Sequence, residues 1–74
     1  MPRMGNAQIR IVLNGNAREV APGTTIAGLL ENLSVPGTRV AVERNGEIVR
    51  KPVYESTGLA DGDRLEIVTF VGGG

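Results

Sequence analysis

At 74 residues, with eight basic and eight acidic side chains and no formal net charge, the chain is one small domain that buries only about 60% of its unfolded surface and has little room for an enclosed substrate cavity. Balanced charge and only two aromatics, Tyr54 and Phe70, exclude a general nucleic-acid binder, and the absence of cysteine and histidine removes zinc ribbons, disulfide frameworks, thiol nucleophiles and histidine bases together, which makes a self-sufficient enzyme a poor reading. The hydrophobic share of 41% is too high for disorder, the apolar runs are too short to cross a bilayer and no signal-peptide pattern appears, so a soluble cytoplasmic protein with no membrane partner is expected.

Residues 1–7 carry no period, and Met4 offers a second start, so they read as an N-terminal extension. From Ala7 the pattern sharpens. Ile9, Ile11 and Leu13 alternate with Arg10 and Val12, the period of a strand. Asn14-Gly15 is a hairpin turn, because both positions need positive φ, and Asn16 to Val20 is the return strand. Pro22-Gly23 ends the hairpin, and Thr24 and Thr25 are candidate helix caps whose hydroxyls can accept from an orphan N–H. Ile26, Leu29, Leu30 and Leu33 fall at i, i+3, i+4 and i+7, one apolar face of a helix of about nine residues that must be held by packing. Gly28 weakens that helix and is read as a point of close approach to a sheet. Pro36-Gly37 is expected to end the segment in a type II turn.

Val40 and Val42 mark a third strand, Asn45-Gly46 a second hairpin turn, and Glu47 to Arg50 a short fourth strand with Ile48 expected inward. Pro52 cannot donate to a ladder and ends that strand. Val53 to Ala60 has no clear period, and Leu59 is expected to plug the core from a short turn. Asp61-Gly62-Asp63 is turn chemistry rather than a metal loop, since nothing resembling a calcium loop follows. Arg64 to Val71 closes in β-branched and aromatic residues, the composition of a strand. Gly72, Gly73 and Gly74 then form a bare glycine tail, expected to be flexible, whose terminal carboxylate is the candidate working group. The folded domain is thus expected over 8–71 and the tail over 72–74. One helix across one face of a small mixed sheet solves burial at this length, an α+β class.

The element order and the strings VERNGEIV (42–49), DGDRLEIV (61–68) and FVGGG (70–74), together with Leu13-Asn-Gly15 and Pro22-Gly-Thr-Thr25, resemble the ThiS family of sulfur-carrier proteins of thiamin biosynthesis. The likeness covers residues 8–74. One departure stands at Arg50-Lys51-Pro52, where the family often has Pro-Arg, and no role is carried over to that basic pair. The resemblance implies a ubiquitin-like β-grasp fold with the first and last strands side by side and parallel at the centre of a four- to five-stranded sheet. It also implies a protein co-substrate with no bound cofactor and no metal. A partner ThiF-like adenylyltransferase, related to ubiquitin-activating enzymes, would use Mg-ATP to adenylate the Gly74 carboxylate. A persulfide sulfur donor would then convert it to a thiocarboxylate, and a ThiG-like thiazole synthase would take the sulfur into the thiazole ring.

With that fold, alternation places Leu65 and Ile67 under the helix and turns Val68 and Phe70 to the open face, beside Val12 and Ala41. Val12, Ala41, Val68, Phe70 and Val71 are the candidate partner-binding residues, with Arg10, Glu43 and Glu66 as a charged rim. Three alternatives use the same chain: a small-subunit-like carrier of molybdopterin synthase, a ubiquitin-like modifier that ends on lysines of target proteins, and a passive β-grasp interaction module.

Overall fold

Two Asn-Gly dipeptides set the sheet. Asn14 and Gly15 take φ of 50° and 86°, and Asn45 and Gly46 take 54° and 86°. These are the left-handed values that a two-residue type I′ loop demands and that asparagine and glycine reach at little cost. In the computed structural model, which describes residues 8–70, the first turn joins β1 (Ile9–Leu13) to β2 (Asn16–Val20). The second joins β3 (Val40–Arg44) to β4 (Glu47–Val49). The last strand, β5 (Arg64–Thr69), lies between the hairpins, in the order β2-β1-β5-β3-β4. It runs parallel to β1, with Val12 opposite Arg64 and Leu13 opposite Leu65. It runs antiparallel to β3, from the Arg44–Leu65 pair to the Val40–Thr69 pair. The parallel central pair is the β-grasp arrangement expected from the sequence.

The helix α1 (Ile26–Asn32) packs across one face. Its Ile26, Leu29 and Leu30 meet Ile11, Val40, Val42 and Leu65 of the sheet in one buried cluster. Seven residues are too few to persist as an isolated helix, and both ends are closed by specific bonds. At the start, the Thr25 hydroxyl accepts from the Gly28 N–H at 3.1 Å, Ile26 N–H donates to Thr57 C=O and Ala27 N–H to Tyr54 C=O, both at 3.0 Å. Three orphan donors are satisfied in this way. At the end, Ser34 takes φ of 58°, its N–H donates to Glu31 C=O and the Val35 N–H to Leu30 C=O. This is a Schellman closure with serine where glycine is usual.

The segment without a period is organised by that helix start. Leu59 N–H donates to Thr24 C=O, Thr25 and Gly58 form an isolated bridge, and Tyr54 and Leu59 both enter the core. Leu59 therefore plugs the core as expected. Among the described residues no helix is long and apolar enough to cross a membrane.

Three expectations are corrected. Ile48 is not inward: it is 65% exposed. The two-residue turn fixes Arg44 opposite Glu47, Glu43 opposite Ile48 and Val42 opposite Val49, so Ile48 shares the open face with Glu43 and Val49 takes the inward place. Pro36-Gly37 is not a type II turn, which would need positive φ at Gly37. Instead Pro36 precedes a 3-10 turn over Gly37–Arg39, and the Arg39 N–H donates to Pro36 C=O at 3.1 Å. Gly28 does not approach the sheet, because a Cβ there would meet only Thr25 Oγ1 at 3.5 Å and Thr24 Cγ2 at 3.7 Å, ordinary contacts.

Candidate functional site

The site is built on β5, the strand that runs toward the glycine tail. Both hairpin turns reach across and hold it. At its start, Asn45 N–H donates to Arg64 C=O at 2.7 Å and Asn45 Oδ1 accepts from Arg64 N–H at 2.9 Å. Further along, Asn14 N–H donates to Leu65 C=O at 2.8 Å. The Asn14 side-chain amide pairs with both backbone groups of Ile67, accepting at 2.8 Å and donating at 3.1 Å. The approach to the strand is tied down as well. Gly62, at φ of 90°, donates to Arg10 C=O, and Asp61 Oδ1 accepts from the Arg10 N–H at 2.7 Å.

Asp63 is the buried charge beneath this turn, with 6% of its surface exposed. Its Oδ2 accepts from Ala60 N–H at 2.8 Å and from Arg44 Nε at 2.9 Å, and its Oδ1 from Asn45 Nδ2 at 3.1 Å. Burial alone would raise its pKa, but the three hydrogen bonds and the Arg44 charge outweigh burial and hold the carboxyl below its ordinary value. Asp61 and Asp63 are thus engaged by protein donors, the work of a structural turn.

The open face is graded along β5. Val68 and Phe70 are 57% and 54% exposed. Val68 lies directly opposite Ala41, which is half-buried, and the Phe70 N–H donates to Arg39 C=O at 2.8 Å, continuing the ladder past the end of the strand. Ala41, Val68 and Phe70 therefore form one apolar patch at the end nearest the tail. Val12 is on the same face but level with Arg64, four residues back along β5 from Val68, or about 13 Å at the rise of a strand. The structure brings three of the expected docking residues together and sets Val12 apart. Between them stand Glu43 and Glu66, directly opposite each other. Like charges so placed repel, and among the described residues neither has an ion-pair partner. Arg10, the third expected rim charge, is paired with Glu19 of β2 at 3.4 Å. Val71, Gly72, Gly73 and Gly74 lie outside the described residues.

Asn14, Asn45 and Asp63 were not singled out from the sequence as functional. The signal available was the choice of asparagine in both turns. It tolerates positive φ and also offers a donor and an acceptor on one planar group.

Comparison with known proteins gives a consistent picture. The sequence profile of the ThiS family matches residues 11–74. A sulfur carrier protein ThiS from Bacillus subtilis is 48% identical over 50 residues, 68% of this chain and 76% of its own length. A thiazole synthase from Paramagnetospirillum magneticum is 47% identical over 66 residues, 89% of this chain, so the chain spans only 20% of that relative's length. Among solved structures, the thiamine biosynthesis protein (ThiS) from Geobacter metallireducens superposes with a TM-score of 0.77 at 33% identity, covering 89% of this chain and 100% of that one.

Proposed function

Because the chain belongs to the ThiS family, we propose that it is a cytoplasmic sulfur carrier whose active group is the Gly74 carboxylate, and that it serves as a protein co-substrate rather than a catalyst. A carboxylate is a weak electrophile with a poor leaving group. In the proposed sequence a ThiF-like adenylyltransferase directs a Gly74 carboxylate oxygen to the α-phosphorus of Mg-ATP, releasing pyrophosphate and leaving a mixed anhydride. The terminal sulfur of a persulfide donor attacks the activated carbonyl and expels AMP. A thiol then attacks the donor's sulfur in the resulting S–S bond, leaving donor and thiol joined as a disulfide and releasing the carrier as a thiocarboxylate. Thiazole synthase accepts that sulfur. Positioning by the partner is the main catalytic requirement in such steps. Glycine removes side-chain bulk beside the reacting carbon and lets a thin chain enter a narrow cleft.

The single observation that supports this reading most is the family match running through to Gly74, behind an exposed patch of Ala41, Val68 and Phe70. The patch gives an activating enzyme an apolar surface to bury, and a cation on that enzyme would relieve the Glu43–Glu66 repulsion. The matching segment within a chain named thiazole synthase supports that enzyme as the acceptor partner. The test is genetic. Expression in a strain lacking its own carrier is expected to restore growth without thiamin, and deletion of Gly74 to abolish the rescue. Failure to rescue, with restored molybdenum-cofactor synthesis in the corresponding strain, would assign the carrier to molybdopterin instead.

A further inference from the structure

β1 turns away into its hairpin after Leu13, so its last backbone pairing with β5 is Leu13 opposite Leu65. The strand beside β5 does not stop there in hydrogen-bonding terms. Asn14 donates its own N–H to Leu65 C=O, then uses its side chain to accept from Ile67 N–H and donate to Ile67 C=O. The amide supplies both bonds to Ile67 that a continued parallel strand would supply. From Ile67 onward, the bonds found for β5 among the described residues are these two on one side and the ladder to β3 on the other, ending at Phe70 N–H and Arg39 C=O.

We propose that Asn14 is a positioning residue for the terminal carboxylate. It fixes the course of β5 on the side that β1 has left, at the residue next to Val68 of the apolar patch, and so sets the direction in which the chain leaves the sheet. Seven residues separate Ile67 from the end, Val68 to Gly74, and in extended form they reach about 23 Å. A loosened strand at the base of that segment widens the range of positions from which the carboxylate is presented, and the activating enzyme must then order more of the chain on binding. The role rests on the carrier reading, whereas the clamp itself does not.

Asn14→Gly tests both. Glycine is at ease at the φ of 50° found here and removes the side-chain amide without straining the turn. Hydrogen exchange is expected to show the Ile67 amide exchanging about fivefold faster relative to the Val42 amide, the size expected when a bond worth about 1 kcal/mol is lost. Initial-rate measurements of pyrophosphate release by the activating enzyme should show kcat/KM for the carrier falling by a similar factor, through KM. Val20→Ala, a core truncation in β2 that leaves the clamp intact, controls for lower stability and is expected to move neither quantity when compared at equal distance below its Tm. An unchanged Ile67 amide in Asn14→Gly overturns the clamp whatever the carrier does. Faster exchange with unchanged kcat/KM, or equal losses in Val20→Ala, overturns the positioning role. A wild-type chain that is not adenylated overturns the carrier reading and the positioning role with it, while the exchange result still decides the clamp.

Discussion

Asp63 shows how one side chain secures the strand that matters. Three donors converge on it: Ala60 N–H, Arg44 Nε and Asn45 Nδ2. A carboxylate accepts at every position, whereas an amide would point N–H groups at one of these donors. Asp63→Asn is therefore expected to cost about 1–3 kcal/mol in urea unfolding at pH 7. The pH dependence has a definite sign. The folded pKa lies below the ordinary value, so the unfolded chain binds the proton more readily. The stabilisation is complete above the unfolded carboxylate pKa of about 3.9 and is lost as pH falls through the folded value. Wild type should lose more stability than Asp63→Asn between pH 5 and about 2.5. Parallel losses in the two proteins would contradict this role. The sequence identified Asp61-Gly62-Asp63 as turn chemistry, but not the partners, because Arg44 and Asn45 lie 19 and 18 residues away in sequence. The same limit hid Asn14, whose contact with Ile67 spans 53 residues. Local propensity accounts for an Asn-Gly turn completely and gives no hint of what the amide touches.

At the scale of elements, β5 joins three jobs in six residues. Leu65 is buried in the core and Ile67 packs against it, both gripped along the backbone by Asn14, while Asn45 grips Arg64 before them. Val68, on the other face, is open to solvent, with Phe70 just beyond the strand end. Phe70 is more than half exposed, so its truncation removes no core contact. Phe70→Ala is expected to leave the unfolding midpoint nearly unchanged and to weaken binding to the activating enzyme about tenfold or more, the behaviour of an aromatic interface anchor. Equal affinity by titration calorimetry would remove the docking role. The division of β5 into two faces was readable from alternation alone. The face of β4 was readable too, through the turn rather than the composition: a two-residue loop fixes register, and register puts Val49, not Ile48, beside Val42. Hydrophobicity pulled the reading toward Ile48, and geometry decides against it. The helix ends show the converse. Thr25 as cap was legible, whereas Ser34 at φ of 58° was not, since serine carries no strong preference for that position.

On the scale of the molecule, a central strand is held by neighbours on both sides while one helix covers one face of the sheet. Nearly every element was present in the pattern of turns and apolar residues. The segment from Val53 to Ala60 was not, because its order comes from bonds to the helix start, Tyr54 C=O and Thr57 C=O accepting from Ala27 and Ile26, and such bonds leave no period in the sequence. The docking patch was legible only in part: alternation placed Val12 on the correct face, and only the β1–β5 register separates it from Val68 and Phe70.

The most direct measurement of the central claim is the intact mass of the protein purified from cells that also express the activating enzyme and a sulfur source. Replacement of one oxygen by sulfur is expected, localised by fragmentation to the peptide ending at Gly74. An unmodified carboxylate, with the same enzyme active on a control carrier, would contradict that claim and leave the chain a passive β-grasp module.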